Sequence, residues 1–555
     1  MSTTSYTVPR TAQLTGGQAV VEALLKSGVT SGFGIPSIHN IGIYDALRQE
    51  PAFHHWIVRH EQAAGFAADG FYRRTGKPAV VFASTGPGNL FTVVPLLESL
   101  QTSTPVVLIG TNVATIVLDK SCGALHETPQ QLEIIKPLTR FAARVTSPDA
   151  IAETIAQAAS AGGPAFVEIP TDLLNAPVSN GVSAAAKPSG QISQVSSQQI
   201  AEASAQIERC RKPVIILGSG VFHGKAAHSV QSLAEALHAP VLTTTSGKGT
   251  IADDHPLAMG CISRLGIVQQ LLLESDLVIS VGAKLTEFDT GRFTLKLPEH
   301  HIQVDQPQHH AGSLFPATLK LLGDIGALAE KLAATTKPRT TWFDVAAVRA
   351  QETEKIESLK QESYAALKLL RSAMNRDDVL VNDQSILNYW ASAFFPVLAP
   401  RTFIYPTGSG TLGYALPAAV GAACALPNRR VICIAGDGGF QYTSHELATL
   451  AHYQLPVKIL LVNDNAFGII GFLQRSMFGH SHEVDLKNPD FCRLAEAYGI
   501  QADRATDFAG LQQKISRWLD SPGPALLEWK TVLKAPWEVG AIIRPTNLMP
   551  AKEQR

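Results

Sequence analysis

The chain has 555 residues, enough for about three or four domains of ordinary size. Its 46 basic and 47 acidic residues leave a net charge of −1, with charged residues only 17% of the total, so no bulk field favours nucleic acid or an anionic membrane. No apolar run approaches a membrane span, the N-terminus lacks a basic stretch followed by an apolar core, and six scattered cysteines form no metal-ligand spacing; the expectation is a cytoplasmic α/β protein with reduced thiols.

In chain order, residues 15 to 28 carry apolar positions at helical spacing (Val20, Val21, Leu24, Leu25) and stop at Gly28. The stretch VTSGFGIPSIHN then reads as a strand that breaks into a turn, with Ile38 and His39 at its end. A short strand, Trp56 to Val58, delivers Arg59-His60-Glu61 to the start of a helix lined by Ala63, Ala64, Ala67 and Ala68, small enough for another helix to approach. Ser84 to Asn89 forms a Gly-Pro-Gly turn, VVLIG at 106 to 110 is strand-like, and His126 sits in the loop 123 to 128. AFVEIPTDLL closes the first domain. Residues 175 to 200, rich in Ser, Ala, Gly, Pro and Gln, read as a linker. Three strand-to-glycine turns follow from residue 212, indicating another doubly wound sheet, with Gly218-Ser219-Gly220 too short a signal to claim a nucleotide. From about 334 to 372 the chain turns charged, with 353 to 372 predicted as a solvated connecting helix. A third domain starts at the strand Val379 to Val381.

The most informative stretch runs from Val431 to Gly468: an apolar strand, the break Gly436-Asp437-Gly438-Gly439, a helix-like segment, and a second strand ending at Asn463-Asp464-Asn465. In an open parallel sheet, ligands sit at the carboxyl ends of strands, so both polar clusters should face one crevice. The glycines let backbone N–H groups approach an anion, and Asp437 and Asp464 offer the hard oxygen ligands that suit Mg²⁺ shared with phosphate.

The pair GDGGF and NDNAFG resembles the diphosphate-binding signature of thiamine-diphosphate (ThDP) enzymes, and the segment around Arg59-His60-Glu61 with the Ser84 to Asn89 turn resembles the catalytic segment of the same superfamily, in particular acetolactate synthases and 2-oxo acid decarboxylases. The resemblance covers about residues 15 to 535. It implies three doubly wound parallel-sheet α/β domains: pyrimidine-binding (1–180), central (195–340) and diphosphate-binding (360–535). By position, Glu61 would be the catalytic acid on the aminopyrimidine, Asp437, Asp464 and the carbonyl of Ala466 would bind Mg²⁺, and Gly436, Gly438, Gly439 and Asn465 would contact the cofactor. Many members have Asn where this chain has Asp464. Gly410 would offer its carbonyl to the 4′-amino group, and Leu412 would prop the cofactor in its bent form. Ile38, His39, His126 and His480 are substrate candidates, His480 with His482 on a stretch that could close over the site. The irregular tail from about Lys534 is either mobile or covers the crevice.

The implied activity is a ThDP- and Mg²⁺-dependent 2-oxo acid decarboxylase or carboligase working through an enamine, acetolactate synthase-like, in a homodimer or homotetramer with the site at the subunit interface. The segments GIPSIHN and GALHETP also resemble guanidino-2-oxo acid decarboxylases, so the substrate branch stays open. The central domain resembles one that binds FAD in acetolactate synthases, and no specific motif claims FAD here. Two other classes remain: a flavin or nicotinamide oxidoreductase, against which stands the lack of a GxGxxG with an acid some 20 residues on, and a silent nucleotide-binding subunit, against which stand Glu61, Asp437 and Asp464.

Overall fold

The computed structural model describes residues 13–179, 182, 195–264, 266–307, 314–337, 339–426 and 429–542. Most of its strands are buried, largely apolar runs, the pattern of parallel sheets covered on both faces, while the edge strands His54–Ile57, Phe141–Arg144 and Gln501–Ala505 are only partly buried. The strands form three six-stranded sheets, all parallel.

The first sheet comprises β1 (Ser31–Gly34), β2 (His54–Ile57), β3 (Ala79–Ala83), β4 (Val106–Asn112), β5 (Phe141–Arg144) and β6 (Ala165–Pro170), in the order β2-β1-β3-β4-β6-β5. The second comprises β7 (Pro213–Leu217), β8 (Val241–Thr243), β9 (Ala258–Cys261), β10 (Leu277–Val281), β11 (His300–Asp305) and β12 (Leu319–Leu322), in the order β12-β11-β10-β7-β8-β9. The third comprises β13 (Val379–Asn382), β14 (Phe403–Ile404), β15 (Val431–Gly436), β16 (Val457–Asn463), β17 (Gln501–Ala505) and β18 (Ala525–Lys530), in the order β14-β13-β15-β16-β18-β17. The expected fold class, three doubly wound α/β layers, is what the chain adopts. The first and third sheets share one strand order, so each reverses direction at the same place, between β1 and β3 and between β13 and β15. Ligands of doubly wound sheets bind outside the carboxyl ends of the strands at such a switch point.

The chain forms two compact units, one built on the first sheet and one holding the second and third. Each of the three sheets has its own apolar core; in the third, Trp390 and Trp529 are fully buried. Among the described residues no helix is long and apolar enough to cross a membrane. All six cysteines are free.

Three local expectations are corrected. The predicted linker ends early: Ser196 caps helix Ser197–Arg209 by accepting from the Gln199 N–H, and Gln199 returns the bond, a capping box hidden in a Ser/Gln-rich run; residues 180, 181 and 183 to 194 lie outside the described residues. The connecting helix over 353 to 372 is two helices, Val345–Ser358 and Glu362–Ala373, broken where Lys360 takes a φ of 50°. It is also not simply solvated, because Ile356, Ala366, Leu367 and Leu370 are buried in the third core. Finally, the start of the tail is docked: Trp390 donates to the Lys534 carbonyl at 2.8 Å, and Val539, Ala541 and Ile542 pack on the same core. The rest of the tail, from residue 543, lies outside the described residues.

In the second sheet, a Cβ on Gly218 would lie 2.2 Å from the Gly282 carbonyl oxygen. The missing side chain there serves backbone-on-backbone packing.

Candidate active site

The third sheet gathers most of the predicted residues in one cavity at its switch point. Gly410 and Leu412 come from the loop before helix Ala415–Ala425, Gly436 from the end of β15, Asp437 to Gly439 from the short helix Asp437–Gln441 that follows it directly, and Asp464 and Ala466 from the turn after β16. Asn465 is in the same turn, with a left-handed φ of 54° that Asn tolerates, but does not line the cavity. Gln384, Ser385, Tyr389 and Thr531 also line it, and no motif in the sequence marks them as site residues.

The glycines are needed for close approach. A Cβ at Gly438 would meet the Phe467 ring at 2.6 Å, and one at Gly439 would stand 3.0 Å from the buried Asp383 carboxylate. Asp383 in turn accepts the backbone N–H groups of Gln384, Gly413 and Ala415, tying the loop that carries Gly410 and Leu412 to the end of β13. Burial pushes its carboxyl group up to about 6.

Asp437 and Asp464 face one another. Burial raises both carboxyl groups above their ordinary range, and for Asp464 the neighbouring Asp437 charge adds to the rise, to about 7. Among the described residues neither carboxyl is paired with a basic side chain. Two carboxyl groups withdrawn from water in one place can both be charged only if a cation sits between them, and otherwise one holds a proton, so this donor set fits a hard divalent ion. The neighbouring glycine turn, free of side chains and lining the same cavity, fits the phosphates such an ion would accompany.

In the first unit, Glu61 begins helix Glu61–Thr75, shortly after β2. Its Oε1 lies 3.2 Å from where a Gly88 Cβ would stand, so the carboxyl group rests on the bare backbone of the Gly-Pro-Gly turn. That turn is held by a bond between the hydroxyls of Ser84 and Ser37 at 2.8 Å. The rings of His39 and His126 lie 5.1 Å apart, so two of the substrate candidates meet. Burial and the His126 charge lower the pKa of His39, and its Nδ1 is buried without a hydrogen-bond partner. Ile38 is 68% exposed beside them. His480 is not brought in: it is exposed beyond helix Gly468–Phe478, contacts the Phe478 carbonyl, and does not line the cavity.

Gly86 joins these parts with a φ of 63°, and a Cβ there would fall 2.2 Å from the His126 carbonyl oxygen. Gly86→Ala is therefore expected to destabilise the protein by roughly 1–3 kcal/mol, the usual cost of overpacking and strain. A lowered urea midpoint checks this. The Gly86 N–H also donates to Gln131 Oε1 at 2.8 Å, and Gln131, fully buried, carries no sign in the sequence of belonging to a site.

Family models match in the same order as the sheets: the N-terminal thiamine pyrophosphate (TPP) binding domain over residues 14–134, the central domain over 200–332 and the C-terminal TPP binding domain over 384–529. The chain is 33% identical over 531 residues to the probable 2-ketoarginine decarboxylase AruI of Pseudomonas aeruginosa, covering 93% of this chain and 94% of that protein. The chain belongs to the thiamine pyrophosphate enzyme family. It is also 31% identical over 550 residues to a probable acetolactate synthase large subunit of Methanocaldococcus jannaschii, covering 92% of this chain and 91% of that one. To the acetolactate synthase isozyme 1 large subunit of Escherichia coli it is 28% identical over 533 residues, 93% of each. Glu61 lies in the region matched by the N-terminal TPP binding domain, and Gly410, Leu412, Asp437 and Asp464 lie in the region matched by the C-terminal one.

Proposed function

We propose that this chain is a ThDP- and Mg²⁺-dependent enzyme that cleaves or forms carbon–carbon bonds at 2-oxo acids, as a decarboxylase or carboligase. The observation that carries the reading is the uncompensated Asp437 and Asp464 pair beside the glycine turn in one cavity with Gly410 and Leu412.

Asp437, Asp464 and the Ala466 carbonyl would hold the metal, and the backbone of Gly436 to Gly439, with Asn465, the diphosphate. Gly410 would accept from the aminopyrimidine through its carbonyl, and Leu412 would support the bend. ThDP supplies the electron sink for breaking the bond between the carboxyl and carbonyl carbons of a 2-oxo acid. Glu61 would hold and exchange the proton on the aminopyrimidine nitrogen, a role that suits a carboxyl group resting on bare backbone. His39 and His126 would face the substrate. Glu61 of one subunit would meet the cofactor held by its partner, which a homodimer or homotetramer permits. The exposed apolar side chains of Leu90, Phe91 and Val94, next to the Gly-Pro-Gly turn, support such a covered face.

Two substrate branches follow from the relatives: an acetolactate synthase-like carboligation and decarboxylation of a guanidino-2-oxo acid. Incubating the protein with Mg²⁺ and ThDP and a panel of 2-oxo acids, guanidino acids included, decides between them. Release of CO₂ and an aldehyde without an added acceptor marks the decarboxylase; a 2-hydroxy-3-oxo acid, formed when the enamine left after CO₂ loss adds to a second 2-oxo acid, marks the carboligase. Absence of ThDP binding rejects both.

A further inference from the structure

The first and third sheets carry the same polar cluster at the same register. In the third, Arg504 on β17 stands opposite Glu528 on β18, with Nε 2.5 Å from Oε2. The other carboxylate oxygen, Oε1, accepts from Asn463 Nδ2 at the end of β16, at 2.7 Å. In the first, Arg144 on β5 stands opposite Glu168 on β6 and pairs with it. Glu168 Oε1 accepts from Asn112 Nδ2 at the end of β4, at 2.9 Å. Both glutamates are buried, and a buried carboxylate is costly unless fully paired, so a repeated cluster at the ligand end of two sheets calls for a use.

Each cluster leads to a turn that bears site residues. In the first sheet Gln131 spans Glu168 Oε1 and the Gly86 N–H. In the third, fixing Asn463 Nδ2 on Glu528 turns its Oδ1 toward the next turn, where it accepts from the Asn465 N–H at 3.0 Å and from Asn488 Nδ2 at 3.2 Å. Asn488 Nδ2 also donates to Asp437 Oδ2 at 2.6 Å. The same turn is pinned from the other side by the Leu486 N–H on the Asn465 carbonyl, 2.7 Å. Asp490 and Cys492 crowd the Glu528 carboxylate as well, but Arg504 bonds both acids, so its guanidinium fills the place a cation would need.

We propose that Glu528 and Asn488 are positioning residues for the metal site: Glu528, held by Arg504, locks Asn463 and with it the turn carrying Asp464 and Ala466, while Asn488 locks the Asp437 carboxylate. This rests on the reading of Asp437 and Asp464 as the metal pair.

Calorimetric titration of Mg²⁺ into the full-length protein with ThDP present tests it. Glu528→Gln and Asn488→Ala are expected to weaken Mg²⁺ binding about 10–100-fold, the usual loss when a partner of a metal ligand is removed. Turnover should recover at saturating Mg²⁺ and ThDP, placing the defect in affinity rather than in chemistry. Asp378→Asn breaks another buried pair, with Arg430, at the opposite end of the same sheet and should leave Mg²⁺ affinity unchanged. Asn488 is only half-buried on a loop, so its variant decides the matter if Glu528→Gln does not fold. Normal Mg²⁺ affinity in the variants, or an equal loss in Asp378→Asn, overturns the inference alone. Failure of the unmodified protein to bind Mg²⁺ with ThDP overturns the metal reading and this inference with it.

Discussion

Glu61→Gln is expected to lower turnover by about 10²–10⁴-fold, the range for loss of a general acid–base group, while Mg²⁺-dependent ThDP binding stays within a few-fold. The amide fills the space of the carboxyl group above Gly88, so packing is preserved. It cannot exchange a proton, so the chemistry is lost. Gly88→Ala provides the complementary test, because its Cβ would enter the position now 3.2 Å from Glu61 Oε1 and 3.1 Å from the Ser84 Cβ. It keeps the acid but shifts it, and a smaller loss of turnover is expected. The assay is steady-state turnover of the best 2-oxo acid at saturating cofactor, with calorimetric ThDP binding alongside. Wild-type turnover in Glu61→Gln removes Glu61 from the mechanism.

What could be seen in advance follows from the range of the interactions. The strand from Val431 to Gly436 and the glycines after it are contiguous, and a buried parallel strand ending in glycine is visible within one short run. The same holds for Asp464 and for the turn at Ser84 to Asn89. The cluster of Glu528, Arg504, Asn463 and Asn488 was not legible, because its bonded partners lie 24 to 65 positions apart and meet only through the register of β17 on β18 and the course of the loop before it. Each alone reads as a surface charge or a turn residue. Gln131 was missed for the same reason: a glutamine just after an αL residue carries no local signal that it will be buried against Gly86. The split of the connecting helix depends on which side chains the third core accepts, and helical periodicity does not contain that information. His39 and His126 are distant in the chain, yet the sequence points to both: His39 ends a strand of a doubly wound sheet, where ligands gather, and His126 stands in a segment that resembles acetolactate synthase-like chains.

Asp437→Asn should move stability and affinity in opposite directions. The substitution keeps the shape and an oxygen able to accept from Asn488, but removes one of the two facing charges. With metal and ThDP present, losing a charged partner in a buried site costs about 3–5 kcal/mol, so Mg²⁺ affinity is expected to fall on the order of 10²–10³-fold. Without metal the sign reverses. Burial and the Asp437 charge together hold the Asp464 carboxyl group at about 7, so above pH 7, where both acids are charged, the metal-free protein carries mutual repulsion that the neutral amide would relieve. The urea midpoint of the metal-free variant should therefore equal or exceed that of the unmodified chain, while the gain in midpoint on adding Mg²⁺ and ThDP shrinks, as mass action requires of a weakened ligand. Undiminished Mg²⁺ affinity would sink the assignment of Asp437 as a ligand, and a lowered metal-free midpoint would show that the two acids do not oppose each other as their geometry indicates.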